Sequence, residues 1–116
     1  MLIEVLRAKI HRVRITQLEI DYVGSITLDR QLLEASGLIP NEKVQVLNVN
    51  NGARFETYII EGESGSGIAG LNGPAARMAV LGDVVLVVSY ALMTPEEARK
   101  HVPTVIFPDE HNRLPS

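Results

Sequence analysis

A glycine and a serine stand side by side in "DYVGSITLD", residues 21–29. Tyr22 and Val23 precede Gly24-Ser25, and Ile26, Thr27 and Leu28 follow. No Pro, Asn or second Gly completes a hairpin turn there, so the pair interrupts two strand-like runs for some other reason. Other residues that could do chemistry lie on either side. In "RAKIHRVR", Arg7, Lys9 and His11 share one face of a strand by the two-residue period, forming either an anion-binding wall or a charged, solvated edge. In "NGARFETYI", Arg54, Glu56 and Tyr58 alternate with Phe55, Thr57 and Ile59, so one face carries a guanidinium and a phenol. Arginine grips a carboxylate through two parallel hydrogen bonds, and a tyrosine beside it can pass a proton; an ordinary cross-strand polar pair gives the same pattern. In "LNGPAAR", Asn72 can donate and accept, and Gly73, Ala75 and Ala76 let a ligand approach the backbone; a tight turn with a short helix, Pro74 in its first position, is the plainer reading.

Several familiar chemistries are excluded. "GSGIAG" at 65–70 matches the dinucleotide spacing, but Asn72-Gly73-Pro74 follows at once, so the long helix that would hold a pyrophosphate cannot start. A flexible surface loop is expected instead, and no nucleotide. Ser25, His11 and Asp21 are present, but no G-x-S-x-G elbow surrounds a serine. His11, His101 and His111 are scattered without metal-ligand spacing, and there is no cysteine, so neither a metal site nor a thiol nucleophile is expected.

The elements that must position these residues read as mainly β. The chain has 116 residues, the length of one domain, and 46% are apolar, with only three Tyr and two Phe, so the core must be Val, Ile and Leu. Near-alternation predicts strands at 2–7, 10–18, 44–50, 54–61 and 83–91, with Asn51-Gly52 as a hairpin turn. "DRQLLEASG" predicts a short helix capped by Asp29 and stopped by Gly37. "TPEEARKH" carries a capping box of Thr94 and Glu97, with Pro95 in the first helical position. The tail after Pro108 is polar and expected to be loose. Net charge is −3, which disfavours nucleic acid, yet residues 1–24 carry four basic groups against three acidic ones. "MLIEVLRAKIHRVRI" has no uninterrupted apolar stretch, and "VVLVVSYALM" is too short to span a bilayer; a soluble, cytoplasmic protein without a membrane partner is expected. Many short strands and few helices suggest a small β-barrel with capping helices, and a chain of this size often gains stability by oligomerising.

Lys9, His11, Tyr22, Gly24-Ser25, Asn51-Gly52, Arg54, Thr57-Tyr58 and Asn72-Gly73-x-Ala75-Ala76 occur in an order and spacing that resembles the bacterial, pyruvoyl-dependent aspartate 1-decarboxylase family, from about residue 1 to 100. The resemblance implies a six-stranded double-psi β-barrel assembled as a homotetramer with sites at subunit interfaces. It implies a proenzyme that cuts itself between Gly24 and Ser25 into a β-chain (1–24) and an α-chain (25–116). Ser25 becomes a covalent pyruvoyl cofactor that forms a Schiff base with L-aspartate, and α-decarboxylation then yields β-alanine for pantothenate. It further implies Tyr58 as proton donor, Thr57 in cleavage and in the substrate site, and Lys9 and Arg54 as carboxylate grips. Gly73, Pro74 and Ala75 would give backbone contacts, supported by His11, Tyr22 and Asn72. Position 74 departs from the family's usual alanine, and proline has no N–H to offer. Some relatives need a helper protein to mature. The competing reading is a non-catalytic double-psi barrel that binds or adapts.

Overall fold

The computed structural model describes residues 1–115. Among them are eight strands: β1 (Ile3–Arg14), β2 (Gln17–Glu19), β3 (Ser25–Asp29), β4 (Lys43–Asn48), β5 (Arg54–Gly62), β6 (Ala69–Asn72), β7 (Val84–Met93) and β8 (Thr104–Ile106). Two short helices, α1 (Arg30–Ser36) and α2 (Pro95–Lys100), and a 3-10 helix over Gly73–Met78 complete the order. The strands hydrogen-bond in the sequence β2-β6-β3-β5-β4-β7-β1-β8. β3 runs parallel to β5 and antiparallel to β6, while β2 is parallel to β6 and β8 to β1.

The mainly β class is as expected. The strand inventory differs from the expected six: β2, β6 and β8 are three or four residues long, too short for alternation to reveal. Among the described residues no ladder joins the outermost strands β2 and β8, so the sheet is open, and the double-psi closure is not displayed by its ladders.

β1 shows why alternation misplaces a boundary. Ala8 and Ile10 are buried at even positions, whereas Val13 and Ile15 are buried at odd ones. The phase slips because a bulge between His11 and Val13 inserts Arg12, whose φ is +76°. Near the expected break at 7–10 the ladder has only a second register shift, between Leu6 and Ala8, and one strand runs through it. The core that β1 covers is aliphatic, built on Ile10, Ile26, Leu28, Val46, Ile59, Leu71, Val85 and Val87.

Both helices end as their sequences predict. Asp29 caps α1 by accepting from Gln31 N at 2.9 Å, and Gly37 closes it in the left-handed region at φ +80°. Thr94 and Glu97 form both halves of the capping box on α2.

Two expectations of looseness are corrected. The glycine loop is held by the Asp29 carboxylate, which also accepts from Gly65 N at 3.0 Å and Gly67 N at 2.8 Å. The amides that would cradle a phosphate thus cradle a side chain of the same chain. The tail is tied down by buried Asn112. Its amide donates to Arg14 O and Gly67 O at 2.8 Å and accepts from Arg14 N at 2.8 Å.

Burial alone would raise the Asp29 pKa, but the amides of Gly67, Gln31 and Gly65 hold it below the ordinary carboxylate value. A depressed folded pKa stabilises the protein at pH values above the unfolded pKa, and that gain disappears as pH falls through the folded one. Asp29→Asn should therefore cost about 2 kcal/mol at pH 7. The gap from the parent in chemical denaturation should narrow below about pH 4; a gap independent of pH would assign the loss to shape rather than charge.

Candidate functional site

β3 opens on Ser25 and β6 ends on Asn72, and their antiparallel register sets the two residues opposite one another. The Asn72 amide donates to Ser25 Oγ at 2.7 Å and to Thr27 Oγ1 at 3.0 Å. Ser25 Oγ donates in turn to Val23 O at 3.2 Å. Ser25 is fully buried, so its hydroxyl is held among protein groups rather than by bulk water. An Asn amide using both hydrogens in this way is fixed in rotation about its terminal bond.

Gly73 brings the other half of the site against the 22–24 segment. Its φ is +64°, and a Cβ built on it would lie 2.7 Å from Gly24 Cα, 2.8 Å from Gly24 N and 2.9 Å from Tyr22 O. Only glycine permits that approach. Pro74 sits in the first turn of the 3-10 helix, and its Cδ lies 3.3 Å from where a Gly24 Cβ would be. Pro74 thus puts a ring edge, rather than a backbone N–H donor, beside the Gly24-Ser25 peptide.

Two cavities flank this region. One of about 270 Å³ is lined by Phe55, Glu56, Thr57, Pro74, Ala75 and Met78. Another of about 450 Å³ is lined by Gln17, Glu19, Tyr22, Thr27, Ile60, Ile68 and Asn72. Thr57 also borders a hollow shared with Tyr58, Lys43 and Glu56, the last two of which form an ion pair at 3.1 Å.

The structure therefore brings Tyr22, Gly24, Ser25, Asn72, Gly73 and Pro74 together and reaches Thr57 and Ala75 through the smaller cavity. Tyr58 follows Thr57 on β5, and Arg54, exposed at the start of that strand, touches Gln45 Oε1 at 3.5 Å. Lys9 and His11 stand apart. They lie on β1, separated from β3 by β5, β4 and β7 in the sheet order. His11 packs edge-on against Phe107 at 5.5 Å, and its buried Nδ1 has no hydrogen-bond partner. Burial, with Lys9 and Arg12 nearby, holds the His11 pKa below its ordinary value and keeps the ring neutral at pH 7. Arg7, the third member of the basic face, is engaged by Glu42, at 2.6 Å from Oε2 and 2.7 Å from Oε1. The face is thus not a single anion-binding wall.

Thr27 was not among the expected site residues. Its signal was available: it lies two positions after Ser25 on the same face of β3, a hydroxyl between Ile26 and Leu28. Among the described residues no three His, Cys, Asp or Glu side chains cluster as a metal site, and no helix is long and apolar enough to cross a membrane.

Comparison with known proteins places this geometry in context. The family model described as aspartate decarboxylase matches residues 1–115. The aspartate 1-decarboxylase of Cytophaga hutchinsonii is 61% identical over 114 residues, covering 98% of this chain and 99% of the relative. That of Caldicellulosiruptor saccharolyticus is 54% identical, covering 98% of this chain and 89% of the relative. That of Parabacteroides distasonis is 58% identical over 109 residues, covering 94% of each chain. A family match over almost every residue, with identities above half, means that the chain belongs to the aspartate decarboxylase family.

Proposed function

We propose that this chain cuts itself between Gly24 and Ser25 and then removes the α-carboxylate of L-aspartate, releasing CO2 and β-alanine, the precursor used for pantothenate. The observation that carries the reading is the buried Ser25 hydroxyl, directed by Asn72 and set beside a glycine that Gly73 contacts through bare backbone.

The cleavage step balances within the chain. Ser25 Oγ attacks the Gly24 carbonyl carbon, a C–O bond forms, and the Gly24–Ser25 C–N bond breaks as the nitrogen takes up the hydroxyl proton. Gly24 has no Cβ to block that attack. The Asn72 N–H aimed at Oγ stabilises the oxygen as its proton leaves. Loss of the Ser25 α-proton then expels Gly24 as a carboxylate. Water converts the residual dehydroalanine to a ketone and ammonia, leaving chains 1–24 and 25–116.

The residues present fit a pyruvoyl group: its precursor serine, the preceding glycine and an amide donor are already assembled. Such a ketone supplies the electron sink that decarboxylation of an amino acid requires. Arg54 grips a substrate carboxylate through its planar fork, with Lys9 as a second cation. Tyr58 holds the proton delivered to Cα, and Thr57 borders both its hollow and the smaller cavity. Gly73 and Ala75 offer backbone N–H groups that Pro74 cannot. Tyr22 and Asn72 wall the larger cavity, and neutral His11 serves to position or relay. Lys9 lies across the sheet from Ser25, which favours a homotetramer whose sites form where subunits meet, in the cytoplasm where aspartate is supplied. The mixture of parallel and antiparallel ladders around β3 and β5 is compatible with a double-psi barrel.

Denaturing mass spectrometry should find two fragments split before residue 25, the larger ending in a borohydride-reducible ketone. Ser25→Ala should remain one chain without activity; a mature, active Ser25→Ala protein would falsify the assignment. Gly73→Ala should slow cleavage at least about a hundredfold, since its methyl group meets Gly24 backbone and its positive φ is strained; cleavage at the parent rate would show that the contact is dispensable. Arg54→Lys should raise KM for aspartate about tenfold while changing kcat less, because a point charge replaces a two-pronged grip. An unchanged KM would remove Arg54 from substrate binding.

A further inference from the structure

Thr27 has a side chain whose two branches are both accounted for. Its methyl group faces Gly62: a Cβ built there would lie 3.1 Å from Thr27 Cγ2. Its Cβ lies 3.8 Å from where a Gly70 Cβ would stand. Glycine at 62 leaves the room that the Thr27 methyl group occupies, while the contact at 70 is an ordinary one, and the hydroxyl lies 3.0 Å from Asn72 Nδ2. The same nitrogen donates to Ser25 Oγ at 2.7 Å. Each hydrogen of the amide then has one acceptor, and the amide plane is fixed by both together. Asn72 reaches Ser25 from the last residue of β6, where the following residue enters a turn of positive φ. Without a second anchor its terminal amide can rotate toward the large cavity that it and Thr27 both line.

We infer that Thr27 is a positioning residue for self-cleavage: its hydroxyl holds the Asn72 amide in the orientation that directs and polarises Ser25 Oγ. The inference rests on the proposed cleavage at Gly24–Ser25. Thr27 touches neither reacting atom and acts through Asn72 alone. Valine has the same shape but puts a methyl group where Oγ1 accepts. That leaves one Asn72 N–H unpaired and pushes the amide off Ser25. Serine keeps the acceptor and loses only the methyl group that Gly62 accommodates.

The test follows appearance of the 25–116 fragment over time in freshly made full-length chains of the parent, Thr27→Val and Thr27→Ser, with thermal midpoints measured on the same samples. Thr27→Val should cleave about tenfold more slowly, as expected for loss of one positioned hydrogen bond, and Thr27→Ser should restore cleavage to within about threefold of the parent. The double variant Thr27→Val with Asn72→Ala should be no slower than Asn72→Ala alone, since the hydroxyl works only through that amide. Cleavage of Thr27→Val at the parent rate overturns the inference while the cleavage reading stands. So does slowing that follows the thermal midpoint in both single variants, or that adds in full to Asn72→Ala. A parent chain that never cleaves sinks both readings, a result distinguishable from the others by the parent sample alone.

Discussion

The backbone of Gly73 lies where a methyl group on it would sit 2.7 Å from Gly24 Cα, well inside any non-bonded contact between carbons. That closeness is available only to a residue without a Cβ and with access to positive φ. It anchors the 22–24 segment against the end of β6, and the neighbouring residue, Asn72, consequently faces Ser25 across the β3–β6 ladder. A strand pair normally serves packing. Here its last rung joins an amide to a hydroxyl, and the geometry of that rung depends on two bare backbones touching.

The opposite end of β3 carries the opposing constraint. Asp29 finishes the strand, caps α1 and binds the amides of Gly65 and Gly67, while its own N–H reaches Ile68 O at 3.0 Å. Asn112 from the C-terminal tail takes the Gly67 carbonyl. The loop leading into β6 is therefore fixed just before the strand starts. Register in a strand of four residues is weakly specified by side-chain pattern. Pinning both ends makes the Ser25–Asn72 pairing the one that forms. A slip by one residue would turn Asn72 to the other face and leave the hydroxyl without its donor.

How much of this was legible in the sequence follows from the range of each signal. Caps, hairpin turn and long strands are local: Asp29, Thr94 with Glu97, and Asn51-Gly52 act within a few residues of themselves, and all appear where their chemistry requires. β6 and β8 are defined by partners far along the chain, and runs of four and three residues are too short to announce either. The glycine loop and tail look loose because their anchors, Asp29 and Asn112, are single polar residues whose partners lie 36 and 45 residues away. The site divided in the same manner. Gly24-Ser25 and Asn72-Gly73 were visible as pairs, but their contact is tertiary. Periodicity aligns Lys9 and His11 with Arg7, but the β1–β7 register shifts between Leu6 and Ala8, at Arg7, and Glu42 occupies the Arg7 guanidinium.

A reaction on Ser25 and a reaction on aspartate ask opposite things of this region under the proposed function. The first needs the hydroxyl shielded, since water competing for Asn72 would weaken a contact that matters more in a low-dielectric setting. The second needs a path for a small amino acid with two carboxylates to the same position. The structure contains elements suited to each. Asn72 and Val23 enclose the hydroxyl, whereas the cavity bounded by Thr57, Pro74 and Ala75 adjoins the Gly24 side of the peptide. Breaking the Gly24–Ser25 bond removes the covalent tie between the segment that covers Ser25 and the strand that carries it. Under that same proposal Pro74 would bear on the second reaction more than the first: its ring edge stands beside the position of Gly24, and its missing N–H would leave carboxylate recognition to the proposed grips Arg54 and Lys9 and to the flanking amides of Gly73 and Ala75.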